Sequence, residues 1–369
     1  MKITSDETEL LLKSVTKPLT DWYSSAARDL PWRIPAGSNV RPDPYHIWIS
    51  EIMLQQTRVE TVKDYYRRFL NRLPDIKSLA QVPTDELMKL WQGLGYYSRA
   101  NNLKRAAIMI MDVCQGIFPD TYEEIIKLPG IGEYTAGAIA SIAFGQPVPA
   151  IDGNVYRIYT RLCADDSDIT RTPFKRNLRQ RLLSVIPSED PGSYNQAWMD
   201  LGASICLPAK TPLCGQCPLS DHCLAHLHNS CGIYPMKPPK KKRRIEEKTI
   251  FVLEYHGKYL LQKRPPKGLL AGLWEFPAQE GFVSIEQIKE LLAHWDTSAG
   301  EIELLGKGKH IFSHIEWHMM GYLIHLDQMP ALTLSEESVW ITAQKMQKEY
   351  SIPSALRLYY SKITDALSR

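Results

Sequence analysis

The residues whose types and spacing can do chemistry are two carboxylates and a group of cysteines. Glu51 stands in HIWISEIMLQQT, where Ile47, Glu51 and Leu54 fall on one helical face at i, i+4 and i+7. A carboxyl that shares an apolar stripe loses water, and desolvation raises its pKa towards neutrality, the property of a general acid. A solvated helix face is the ordinary alternative for such a residue. Asp152, in PVPAIDGNVYR, precedes Gly153 and Asn154 at an expected helix start, where the helix dipole stabilises an anion. Cys206, Cys214, Cys217 and Cys223 are spaced x7, x2 and x5 in a stretch holding Pro208, Pro212 and Pro218. Thiolates this close on short loops imply a metal. Spacing alone leaves zinc and an iron–sulfur cluster both open. His222 beside the set reads as surface, Cys231 lies just past it, and Cys114 and Cys163 read as small buried residues.

Between the carboxylates lies LPGIGEYTAGAIASIAFG, residues 128–145. Pro129 has no backbone donor, and Gly130 and Gly132 can take positive φ, so Leu128–Gly132 reads as a tight turn. Tyr134–Phe144 follows as a helix too rich in Ala, Ile and Gly to be exposed. Backbone N–H groups of such a turn, aimed from a helix start, make a site for phosphate. Most glycine turns are only turns.

The elements around these residues are mainly helical in the first part of the chain. Thr4-x-x-Glu7 and Thr121-x-x-Glu124 have capping-box form. Tyr45–Leu70 reads as one long helix, and Phe174–Leu183 and Tyr194–Ile205 as two more. GLGYYSRANNLKR, residues 93–105, sets an aromatic pair at a turn ahead of Arg99, Lys104 and Arg105. Core packing plus a solvated face is the plain account of it; base stacking with phosphate neutralisation is the other.

Residues 233–248 carry prolines and the basic run Lys240–Arg244, which cannot form a core and read as a linker. A DNA-facing connector is compatible with the same residues. From Thr249 the texture changes: TIFVLEYHGKYLLQKR reads as a hairpin turning at His256-Gly257-Lys258, followed by a helix over Ser284–Trp295 and strands around His310–Ile324. A chain of 369 residues holds two or three domains. We place them at 1–232 and 249–369, joined by 233–248. The net charge of +3 is too small to indicate a nucleic-acid partner by itself. No apolar run approaches the roughly 18 residues of a membrane span, and the N-terminus does not read as a signal peptide. The expectation is a soluble, cytoplasmic protein whose cysteines are not a disulfide framework.

These motifs together resemble the endonuclease III-like, helix-hairpin-helix DNA glycosylases, and WISEIMLQQT, GLGYYSRA and IDGNVYR are similar to the adenine-glycosylase branch. The resemblance covers nearly the whole chain. It implies an all-α helix-hairpin-helix domain with a [4Fe–4S] loop, followed by an α+β Nudix-like domain. The implied ligands are Cys206, Cys214, Cys217 and Cys223, although the family's first gap is x6 and this chain has one residue more. The cluster would brace a loop whose Lys210 faces phosphate. GLLAGLWEFP resembles the second domain of the adenine glycosylases, yet the helix SIEQIKELLAHW lacks the glutamates of Nudix hydrolases, which argues against nucleotide hydrolysis there.

By the same resemblance the substrate is duplex DNA with adenine opposite 8-oxoguanine or guanine, and the protein is expected to be a nucleoid-associated monomer of a bacterial type. The adenine is flipped out of the stack. Glu51 would protonate its N7, and Asp152 would stabilise or trap the sugar cation, with Tyr134 and Asn154 positioning them. The DNA- and lesion-binding set would be Gln56, Tyr96, Arg33, Gly130, Gly132, Phe312, Ser313 and His314. Gln56 probes the DNA beside the extruded base, Tyr96 wedges into the duplex, and Ser313 reads the lesion's altered edge. Tyr134 occupies the place where the endonuclease III branch carries a lysine nucleophile, which implies a monofunctional glycosylase. A bifunctional lyase and a catalytically silent DNA-binding scaffold are the alternatives.

Overall fold

The computed structural model describes residues 3–34, 40–208, 211–239, 242–330 and 337–364. It divides into two compact units, Met1–Gln81 with Asn102–Pro239, and Val82–Asn101 with Lys240–Arg369. The helices of the chain's first part are α1 (Ser5–Ala26), α2 (Pro44–Leu54), α3 (Val59–Arg72), α4 (Ile76–Gln81), α5 (Thr84–Leu90), α6 (Ser98–Val113), α7 (Tyr122–Ile125), α8 (Glu133–Phe144), α9 (Gly153–Leu162), α10 (Thr172–Leu183), α11 (Pro191–Ser204) and α12 (Leu224–Leu227).

The Thr4–Glu7 capping box forms on α1 as expected. At α7 it does not: Thr121 caps no backbone N–H, and its hydroxyl donates to the Glu124 carboxylate at 3.1 Å instead. The long helix expected over Tyr45–Leu70 is two helices. The chain breaks after Leu54 and passes through Gln56 at φ +58°. No Gly or Pro marks that break, so periodicity runs straight across it. In the first unit α11 packs against α1, α8 and α9, while α2 packs on α8. Leu12, Leu19, Ile158, Leu178, Tyr194 and Trp198 fill one shared core, and Cys206, Cys217 and Cys223 pack against its edge.

The second unit is built on a seven-stranded mixed sheet: β1 (Arg244–Tyr255), β2 (Lys258–Lys263), β3 (Trp274–Glu275), β4 (Ala278–Glu280), β5 (Ala299–Ile311), β6 (Ile315–Leu326) and β7 (Ser338–Thr342). The order is β3-β2-β1-β6-β5, with β4 added to β1 and β7 to β2. β1 and β6 run parallel over Arg244–Glu254, and the other pairings are antiparallel. Ile250 and Val252 enter the core on one face, Phe251 and Leu253 that on the other, which explains the unbroken apolar run in β1. Helix α13 (Ile285–His294), capped by the Ser284–Gln287 box, covers the second face; α14 (Ala343–Glu349) and α15 (Arg357–Thr364) cover the first.

Two boundaries differ from the sequence reading. The strand begins at Arg244, so the end of the expected 233–248 linker is sheet; backbone pairing with β6 tolerates the charged side chains there. Lys240 and Lys241 of the basic run lie outside the described residues, as does Lys210. Segment Val82–Asn101 belongs to the C-terminal unit: Lys89 Nζ donates to the Tyr350 carbonyl at 3.1 Å and Gln92 Nε2 to that of Ile352 at 3.2 Å. Among the described residues no helix is long and apolar enough to cross a membrane.

Candidate active site

A cleft of about 650 Å³ in the first unit is lined by Glu51, Tyr134, Asp152, Asn154, Arg33 and Gln196 among others. Residues from α2, α8, α9 and α11 thus meet across more than a hundred positions of chain. Glu51, on the inner face of α2, is 5% exposed and receives a 2.6 Å hydrogen bond from the Tyr134 hydroxyl. Burial pushes its carboxyl up to about 7; the Tyr134 bond and the Arg33 charge hold it back, while the Asp152 charge adds to the rise. It therefore carries a proton through most of the acid-to-neutral range.

Asp152 is the N-cap of α9. Its Oδ1 accepts from the backbone of Asn154 (2.8 Å) and Val155 (2.9 Å), and its Oδ2 from Asn154 Nδ2 (2.8 Å). Burial raises this carboxyl too, contrary to expectation, but those three donors and the Arg157 charge pull against the rise. An ionised carboxylate, which only accepts, matches such a donor set. Asn154 is fixed from behind: Arg157 Nη2 donates to its Oδ1 at 2.8 Å, and a Cβ at Gly202 would lie 2.4 Å from Asn154 Cβ. Only glycine at 202 lets α11 approach α9 this closely.

The turn ahead of α8 behaves as read at Gly130, which has φ +78° and faces Asn102 so tightly that a Cβ would lie 2.5 Å from that residue's Cβ. Gly132 does not take positive φ; it is the extended N-cap of α8, at φ −102°. Gln56 is exposed at the α2–α3 break. Its neighbour Gln55 turns into the cleft, where its Nε2 donates to Thr135 Oγ1 at 3.3 Å.

Arg33, expected in the DNA-binding set, lines the cleft. Its guanidinium lies in the cleft wall and donates to both Asp200 oxygens, at 2.6 and 2.8 Å, while Arg28 donates to the same carboxylate. Asp200 is fully buried in α11, and the two arginines hold its carboxyl below the usual value against the effect of burial. Asp200 and Arg157 escaped the sequence reading. Asp200 stands between Met199 and Leu201, so the desolvation argument applied to Glu51 could have found it.

Arg157 also ties the cleft to the cysteine loop, donating to the carbonyls of Cys206 (2.8 Å) and Gly202 (2.8 Å). Cys206, Cys214, Cys217, Cys223 and Cys231 line one small cavity. Among the described residues no three acidic, Cys or His side chains converge on a single ion-sized point. Arg161, Ile205, Pro212, Ser220 and His226 complete the lining, and the thiols supply the soft donors that an iron–sulfur cluster takes. Burial pushes the Cys217 and Cys223 thiols to about 11, so their protons must leave as metal binds.

In the second unit, Tyr96 and the Phe312–His314 turn come together. Tyr96, at φ +46° and half exposed, has its hydroxyl 3.0 Å from Ser313 Oγ. Phe312 anchors the turn, stacking edge-on against Trp317 at 4.9 Å and His310 at 4.6 Å. Ser313 and His314 are exposed. Arg99, read as lying on a solvated face or against phosphate, is buried instead; it donates to the carbonyls of Leu94 and Gly95 and so shapes the turn that presents Tyr96.

Comparison with known proteins agrees with this layout. Residues 49–183 match the HhH-GPD superfamily of base excision DNA repair proteins, residues 209–223 the iron-sulfur binding domain of endonuclease III, and residues 249–362 the NUDIX domain. An adenine DNA glycosylase of Mus musculus is 36% identical over 88% of this chain and 73% of its own length. One of Buchnera aphidicola (subsp. Baizongia pistaciae) is 34% identical over 89% of this chain and 91% of its own length. Among solved structures, a thermostable thymine-DNA glycosylase is similar at TM-score 0.54 and 27% identity, covering 60% of this chain and all of that one. The chain therefore belongs to the adenine DNA glycosylases, base excision repair enzymes that hydrolyse N-glycosyl bonds and carry a [4Fe–4S] cluster.

Proposed function

We propose that this enzyme removes adenine mispaired with 8-oxoguanine or guanine in duplex DNA, by a monofunctional route. The observation that carries the proposal is the pairing, in one cleft, of a buried Glu51 raised to about 7 with an Asp152 held by three donors. Glu51 donates its proton to N7 of the flipped adenine and makes the base a neutral leaving group. Asp152 faces the cationic sugar that remains and stabilises or traps it. Tyr134 holds the Glu51 carboxyl in place, and Asn154 does the same for Asp152. No lysine is among the described residues lining the cleft, so no amine stands ready to form a Schiff base and break the strand.

Lesion reading falls to Ser313, whose exposed hydroxyl both donates and accepts, on a turn kept in shape by Phe312. Tyr96 enters the duplex beside it, and Gln56 probes next to the extruded base. Cys206, Cys214, Cys217 and Cys223 hold the cluster, which braces the loop that Arg157 joins to Asp152. The test is single-turnover cleavage of a duplex with adenine opposite 8-oxoguanine, each time point split into alkali-treated and untreated halves. Breaks that appear only after alkali are expected, and Asp152→Asn should slow their appearance about 10²–10³-fold. Equal breaks without alkali would overturn the monofunctional reading; tight binding without base release would make the chain a silent scaffold.

A further inference from the structure

The cavity of the cysteine loop holds one thiol more than a cluster needs. Cys231 follows the four-cysteine motif yet lines the same cavity, with its Sγ 3.9 Å from that of Cys214. It is not on a loose tail. Arg161 Nε donates to its carbonyl at 3.0 Å, the Ser230 amide to the Ala225 carbonyl at 2.7 Å, and the Ile233 amide to the Ser230 carbonyl at 3.0 Å. Arg161 also donates to Cys206 Sγ at 3.3 Å, so one guanidinium orders the turn of the extra thiol and touches a motif thiol.

The spacing says which position the extra thiol serves. Two sulfurs bound to one tetrahedral metal at about 2.3 Å lie about 3.8 Å apart. Cys214 and Cys231, at 3.9 Å, are thus placed to reach the same metal atom rather than two different ones. An iron at a cluster corner takes one protein thiolate. We infer that Cys231 is a reserve ligand for the corner assigned to Cys214, able to take that iron when Cys214 releases it. The exchange is a ligand substitution: the Cys231 thiol loses its proton as the Fe–S bond forms, Cys214 gains one as its bond breaks, and no electron is transferred. The inference rests on the four-cysteine ligand set proposed above.

The test measures iron and acid-labile sulfide per chain, with the visible absorption of the cluster, in the full-length protein. Cys231→Ala should match the parent. Cys214→Ala should keep about half of the iron or more, whereas the double variant should keep about a tenth or less. Cys217→Ala, with no second thiol at its corner, should lose the cluster; retention there would topple the ligand set and the reserve with it. A Cys214→Ala protein as depleted as the double variant would overturn the inference, as would loss of the cluster from Cys231→Ala alone. Should Cys214→Ala not fold, iron release to a chelator still decides: Cys231→Ala should release iron several-fold faster than the parent, and an equal rate would overturn the reserve role.

Discussion

The cleft of the first unit and the Phe312–His314 turn of the second solve opposite problems with similar side chains. In the cleft, three charged side chains are buried or partly buried and each is held: Glu51 by Tyr134, Asp152 by Asn154 and Val155, Arg33 by Asp200. At the turn Phe312 packs on Trp317 and the Ser313 hydroxyl meets that of Tyr96, yet Ser313 and His314 stay open to solvent. Burial changes what a group is, since it turns an ordinary glutamate into an acid near neutrality. Exposure leaves a hydroxyl ordinary and available. Under the proposed function, the difference teaches that bond breaking needs a perturbed environment, whereas reading a base edge needs a presented one.

The contrast can be broken most forcefully in the cleft. Glu51→Gln keeps the shape but removes the proton, and base release should fall about 10²–10⁴-fold in single-turnover assays. With the parent enzyme the rate should decline as pH rises through about 7, where Glu51 loses its proton. Tyr134→Phe removes a bond that lowers the Glu51 pKa, so that decline should move to higher pH. Asp152→Asn should cost about 10²–10³-fold through lost charge stabilisation.

Stability sharpens the same comparison. Asp200→Ala leaves Arg28 and Arg33 without their shared partner and should destabilise by about 3–5 kcal/mol in denaturant titrations. The Asp200 carboxyl is held below its ordinary value, so its contribution should be complete above about 4 and fade as pH falls further. Glu51 has the opposite sign. Its folded pKa of about 7 lies above the ordinary 4.5, so its favourable contribution is present below 4.5 and lost as pH rises to 7. Glu51→Gln should therefore stabilise the fold at pH 8 by about 2–3 kcal/mol and change little at pH 4.5. Smallest of all, Ser313→Ala should reduce the preference for 8-oxoguanine over guanine by only a few-fold, near 1 kcal/mol, with removal of adenine opposite guanine unchanged.

Local chemistry was readable in the sequence wherever a residue's neighbours in the chain are also its neighbours in space. Glu51 among isoleucines, Asp152 ahead of Gly153 and the His256-Gly257 hairpin turn all met that condition, and all fold as read. Arg33 did not, because its partner Asp200 is 167 positions away and only packing of α11 brings them together. Arg99 met the condition and still went unread: its partners Leu94 and Gly95 are local, but they are backbone carbonyls aimed by a turn, which side-chain types do not reveal. The strand start at Arg244 was hidden by charge, because sheet pairing is a backbone property that side-chain polarity conceals.

The membership of Val82–Asn101 in the C-terminal unit has a practical consequence. Cutting the chain after Pro239 would seem to release a free-standing N-terminal enzyme, as a beads-on-a-string view suggests. It would instead strand α5 and the Tyr96 turn in a fragment lacking their anchors at Tyr350, Ile352 and Ser313. The two parts are interlaced in sequence, so neither can be inherited, trimmed or exchanged as a cassette without taking a piece of the other along.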